Sequence, residues 1–113
     1  MFDVQRRTSE ADNFFAGSFP IATDFGPVAS GATVRARTPV VKDENGIKEA
    51  TAATLDNLVG ISADEPSGGE VVYYLTGEFF TQGITLPDGV TAEKLKPALR
   101  RLGIFLKEVN ING

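Results

Sequence analysis

The side chains of this chain that can do chemistry are those of Asp, Glu, Lys, Arg, Tyr, Ser and Thr, because it contains neither histidine nor cysteine. That removes the commonest general base, the commonest metal ligands and the thiolate nucleophile together. A pair of carboxylates could still hydrolyse a glycoside, one as acid and the other as base or nucleophile. No spacing selects such a pair. Apart from Glu49, Glu78, Glu93 and Glu108, the acidic residues fall in the N-terminal stretch, in turns or at loop edges, where turn formation and solubility account for them. Asp43 and Glu44 lead into Asn45-Gly46 without the ligand spacing of a calcium loop. Gly68-Gly69 joins two strand-like runs and opens no helix, so it is a turn and not a phosphate cradle. The expectation is a protein that is not an enzyme, with no catalytic residues, no metal and no cofactor.

The 113 residues suit one domain able to bury a core without staples. A formal net charge of −4, with Lys and Arg scattered apart from a group at 94–101, argues against nucleic acid as a partner. No apolar run approaches the roughly 20 residues that span a bilayer, so no membrane partner is expected. The opening Met-Phe-Asp-Val-Gln-Arg-Arg has no apolar run behind its arginines, unlike a secretory signal. Synthesis and retention in the cytoplasm are expected, unless the protein leaves as part of an assembly.

The elements are organised around residues 57–64, a turn at 65–69, and the run Glu70-Val71-Val72-Tyr73-Tyr74-Leu75-Thr76-Gly77-Glu78-Phe79-Phe80. Alternation places Val71, Tyr73, Leu75 and Phe79 on one face of this strand and Val72, Tyr74, Thr76 and Phe80 on the other. Both faces are apolar, so each needs a cover, from the domain's own core or from another layer or subunit.

Upstream, residues 1–20 show neither a two-residue nor a 3.6-residue period and are expected to form a flexible arm before a single β-rich domain over 21–113. Phe14, Phe15 and Phe19 need a docking place, since aromatic side chains gain nothing from water; their own domain and a partner surface both qualify. Residues 19–23 read as an extended entry, 24–27 as a turn, and 33–37 as a half-exposed strand with Arg35 and Arg37 on one face. Residues 40–42 and 47–50 form a hairpin about Asn45-Gly46, a pair suited to a type I′ turn. Gly77 suggests a bulge. Thr91 caps a helix starting near Ala92, with Leu95, Ala98, Leu99 and Leu102 on one face and the basic residues solvated; Pro97 should shorten or kink it, and Gly103 ends it. A last strand follows at 104–109.

This order resembles the head decoration proteins of tailed bacteriophages, of the kind found on phage lambda. The likeness lies in Phe15-Ala16-Gly17-Ser18-Phe19-Pro20, a Gly31-led strand, Val40-Val41 with Asn45-Gly46, Leu58-Val59-Gly60-Ile61-Ser62-Ala63, Thr76-Gly77-Glu78-Phe79, a Pro87 turn, a short helix and Gly103-Ile104. Arg37-Thr38-Pro39 departs from it where an Arg-Gly step is expected. The resemblance implies a mainly β domain of β-clip or β-tulip type with one short C-terminal α-helix. It also implies a homotrimer that cements the expanded capsid shell through contacts of the arm with the major capsid protein. On that basis Phe14, Phe15, Gly17, Phe19 and Pro20 are the candidate capsid-binding arm residues. Tyr73, Tyr74, Phe79 and Phe80 are candidates for the trimer contact or the subunit core. The location implied is the outer surface of the virion, after assembly in the host cytoplasm. The competing expectations are a small soluble β-rich ligand-binding module and another virion component of tail or neck.

Overall fold

The computed structural model describes residues 20–108, and the domain is mainly β with one helix. Its strands are β1 (Ala22–Pro27), β2 (Pro39–Asp43), β3 (Gly46–Glu49), β4 (Leu58–Ser62), β5 (Glu70–Phe80) and β6 (Ile104–Lys107). The helix, α1, spans Ala92–Arg100. The strand order is β1-β5-β4-β2-β3, with β6 added to β5 in parallel and all other pairs antiparallel. The eleven-residue β5 is the hub: it pairs with β1 and β4 along its first half and with β6 along its second.

The two ends of this strand path meet. Val28, just past β1, bridges Ile47 of β3, and the Ala29 N–H donates to the Ile47 carbonyl at 2.8 Å. Five strands therefore curl into a small closed ring. Gly46 allows the closure: its φ is 129°, and a Cβ there would lie 2.6 Å from the Pro27 carbonyl oxygen. Inside the ring, Val34, Val40, Ile47, Val71 and Tyr73 form one core, with Val28, Val59 and Leu75 packed against it. Outside it, α1 supplies Leu95, Ala98 and Leu99 to a second core with Val41, Leu58, Ile61, Phe79 and Ile104, against which Tyr74 packs. The two apolar faces of β5 thus belong to two cores of one subunit over most of its length.

The helix begins and ends as the sequence reads. Thr91 Oγ1 accepts the Lys94 N–H at 3.4 Å, and Leu95, Ala98 and Leu99 are buried on the inner side. Pro97 lies inside the helix, which stops at nine residues. Lys94, Arg100 and Arg101 are exposed.

Four local expectations are corrected. Residues 24–27 are strand, not turn: Phe25, Gly26 and Pro27 align with Val72, Val71 and Glu70, and pairing with β5 overrides the turn preference of Gly and Pro. Residues 33–35 alternate, with Val34 buried and Thr33 and Arg35 exposed, but the segment pairs with no strand, and Ala36 and Arg37, both half-buried, form a turn in which Arg37 has φ 54°. The Glu49 carboxylate occupies the Arg35 N–H at 2.8 Å, where a ladder carbonyl would otherwise bond. The β2–β3 hairpin is present, but only Gly46 of the turn has positive φ, so it is not type I′; Asp43 Oδ1 accepts the N–H groups of Asn45 and Gly46 at 2.8 and 3.2 Å instead. Finally, alternation breaks at Gly77 (φ 150°), across which the Phe79 ring lies. Phe79 consequently joins Tyr74, at a centroid separation of 5.2 Å, and not Tyr73.

Candidate assembly surface

The side chains proposed from sequence for contact or core divide by position along β5. Tyr73 and Phe79 are 3% and 0% exposed and belong to the subunit's own cores. Tyr74 and Phe80 are half-buried. Burial raises the Tyr73 and Tyr74 hydroxyl pKa above the ordinary phenol value, as expected for rings withdrawn from water. Phe14, Phe15, Gly17 and Phe19 lie outside the described residues, while Pro20 is the first described residue and is exposed.

Among the described residues, the large apolar side chains left in water lie at β1 and the start of β5, apart from Leu86. Phe25 and Val72 are register partners across the two strands, 62% and 47% exposed, and Ile21 just before β1 is 47% exposed. The reason is the extent of the outer core. It covers the outer face of β5 at Tyr74 and Phe79 but leaves Val72 and its partner uncovered. At Val72 the domain's own core supplies no cover, and of the covers expected for the hub strand only another layer or subunit remains for that position. One signal for this surface was legible in the residues, the apolar Val72; Phe25 was hidden by its place in an Asp-Phe-Gly-Pro string that reads as a turn.

The chain enters this surface through a tied root. Thr76 Oγ1 donates to the Pro20 carbonyl at 2.9 Å and accepts the Ala22 N–H at 3.1 Å. One threonine of the hub strand thus holds the segment leading to residues 1–19 against β5.

A second feature is an open groove of about 440 Å³, lined by Val28, Ala32, Thr33, Arg35, Glu65 and Pro66 among others. Its guanidinium is already engaged: Arg35 Nε and Nη2 donate to Glu49 Oε2 and Oε1 at 2.9 and 3.0 Å. That hydrogen bond holds the Glu49 carboxyl below its usual pKa. Deeper in, Ser62 Oγ accepts the Thr38 N–H at 2.9 Å and donates to the Arg35 carbonyl, which fixes the loop above β4. Among the described residues no group of three or more acidic side chains could hold a metal ion, and no helix is long and apolar enough to cross a membrane. The chain matches no known family and no curated protein.

Proposed function

We propose that this protein is a structural decoration protein of a phage capsid, binding as a homotrimer to the expanded shell and stabilising it through residues 1–20. The observation that carries the proposal is the tied root beside an open apolar face: Thr76 holds Pro20 next to strands that present Phe25 and Val72 to solvent. A self-sufficient domain that launches an aromatic-rich segment from a fixed point suits a protein that grips a lattice.

The physics of such a grip is linkage. A protein that binds only the expanded lattice stabilises it by mass action, and three joined arms raise the effective concentration of each after the first engages. Phe14, Phe15 and Phe19 are then anchors in pockets of the major capsid protein, with main-chain bonds added along a sheet edge. No enzymatic step, cofactor, nucleic acid or membrane enters this proposal, and the site of action is the outer surface of the virion after assembly in the host cytoplasm.

The test is binding of the protein to expanded, undecorated phage heads, comparing the full chain with a form lacking residues 1–20 and reading mass and stoichiometry together. Saturable binding in multiples of three, lost on truncation, is expected. Absence of binding by the full chain, with a monomeric free protein, overturns the proposal. One observation favours a second reading, a small ligand-binding module: the open groove beside Arg35 and Glu65 is of a size that accepts a small molecule. Saturable binding of a small ligand that Glu65→Gln weakens, without any affinity for heads, would establish that reading instead.

A further inference from the structure

We propose that β1 pairs edge to edge with β1 of a second copy of this chain, antiparallel and in one register, with Thr23 opposite Thr23, Ile21 opposite Phe25 and Phe25 opposite Ile21. A two-fold contact of this kind cannot close a ring of three. It is therefore separate from the contact of the proposed trimer: it joins two free chains or two trimers, and it holds whether or not the chain decorates a capsid.

The outer edge of β1 is open over the stretch from Ile21 to Phe25. The strand lies at one end of the strand path, and the ring closes only past it, at the Val28–Ile47 bridge and the Ala29 N–H bond to Ile47. The bridge is parallel and β3 starts at Gly46, so the residues before Val28 extend beyond the β2–β3 hairpin. Ile21, Ala22, Thr23, Asp24 and Phe25 are all exposed, and both faces of this stretch reach water. Two hydrogen bonds fix where its backbone groups point. The Pro20 carbonyl and the Ala22 N–H both meet Thr76 Oγ1, on the β5 side. Peptide groups are planar, so the N–H and C=O of Ile21 point away from β5, and strand alternation turns those of Thr23 and Phe25 the same way. The Phe25 N–H accordingly donates to Asp24 Oδ1, at 2.8 Å, and not to a β5 carbonyl. Among the described residues no strand takes up this edge.

The order of residues along the edge makes it complementary to itself. In an antiparallel pair centred on Thr23, that residue exchanges both backbone bonds with its own copy, and Ile21 exchanges both with Phe25 of the second chain. Every outward group of residues 21, 23 and 25 is then bonded, with the Phe25 N–H passing from Asp24 to a carbonyl. The same register sets Ile21 beside Phe25 twice, on the face that carries Val72, which joins the exposed apolar side chains of the two copies into one strip. An aromatic ring opposite a β-branched side chain is a favourable cross-strand pair. Asp24 falls opposite Ala22, so no like charges meet. Centring the pair on Asp24 instead would place two carboxylates face to face, which selects the Thr23 register. Pro27, which has no N–H to donate, and the bridge beyond it end the open edge on that side.

The absence of cysteine makes the register testable by cross-linking, since an introduced thiol has no competitors. Thr23 alone meets its own copy, at a separation a disulfide can span. Under mild oxidation of the full chain, Thr23→Cys should therefore link two chains several-fold faster than Ala22→Cys, Asp24→Cys or a control at the exposed Lys94, Lys94→Cys. Sedimentation of the unsubstituted chain at rising concentration should show its mass doubling, from monomer to dimer or from trimer to hexamer. Two variants should each raise the midpoint of that doubling several-fold while the dilute protein keeps its melting temperature. Thr23→Pro removes one outward N–H and no bond to β5; Phe25→Lys leaves the backbone intact and puts a charge into the apolar pair. A mass that never doubles, a Thr23→Cys rate no higher than those at the three other positions, or a doubling indifferent to Phe25→Lys would each overturn the proposal. Doubling from a monomer supports this contact and counts against the trimer, whereas trimers that never double do the reverse, so the two proposals fail separately.

Discussion

Arg35 and Glu49 are joined three times: the Arg35 backbone N–H and Nε both donate to Glu49 Oε2, at 2.8 and 2.9 Å, and Nη2 donates to Oε1 at 3.0 Å. One carboxylate thereby fastens an unpaired segment to β3, the strand that closes the ring.

This contact makes stability sensitive to acid. The side-chain hydrogen bond from Arg35 lowers the folded-state pKa of Glu49 below its ordinary 4.5, so the unfolded chain binds a proton first as pH falls. The stabilisation is complete above the ordinary value and is lost as pH drops through the lowered one. Asp43, held by Lys48, and Glu108, held by Lys96, shift in the same direction. Melting temperature should therefore be level near neutrality and fall below about pH 4.5. Glu49→Gln should cost on the order of 1 kcal/mol or less at neutral pH, since Arg35 is largely in water, and should flatten the acid limb. A Glu49→Gln chain with the same acid limb as the parent would remove this residue from the explanation.

Arg37 has φ 54°, the left-handed region, and is the only residue other than glycine to adopt it among those described. For an L-residue that conformation costs roughly 1–2 kcal/mol, against up to about 1 kcal/mol of extra unfolded-state entropy for glycine. Arg37→Gly should stabilise the domain by roughly 0.5–1 kcal/mol, measured by denaturant midpoint. Destabilisation would mean that the contacts of the Arg37 side chain outweigh its backbone strain.

Gly60 illustrates the opposite limit, in which space and not backbone conformation requires glycine. A Cβ on Gly60 would lie 2.1 Å from the Tyr74 carbonyl oxygen and 3.1 Å from the Tyr73 ring, so β4 could not approach β5 as it does. Gly60→Ala should cost about 2–3 kcal/mol or leave the chain unfolded, as overpacking against backbone does. Amide exchange should locate the loss in β4 and β5, and a neutral effect would show that the two strands can separate without penalty.

Phe79 and Phe25 separate core from surface within the same sheet. Phe79 is fully buried, and Phe79→Ala should cost about 3–5 kcal/mol. Phe25 is mostly in water, and Phe25→Ser should change the stability of the folded domain by about 0.5 kcal/mol or less, so any effect on assembly can be read separately from folding. Urea midpoints of the two variants provide the comparison.

Much of this architecture is legible in the residues themselves. The period of Leu95, Ala98 and Leu99 after Thr91 dictates α1 and its buried side, and the apolar runs dictate β2, β4 and β5, because local periodicity reports which positions share a face. The absence of histidine and cysteine likewise narrows the available chemistry before any fold is known. What the tertiary structure alone decided is non-local. Phe25 became an exposed strand residue because β5 pairs with β1 through an Asp-Phe-Gly-Pro string that locally prefers a turn. Arg35 left the sheet because a carboxylate fourteen residues away took its N–H. Phe79 changed core at Gly77, and the outer core ended one residue pair short of Val72. Each outcome depends on which distant groups compete for a backbone bond or a place in a core, and sequence periodicity contains no record of that competition.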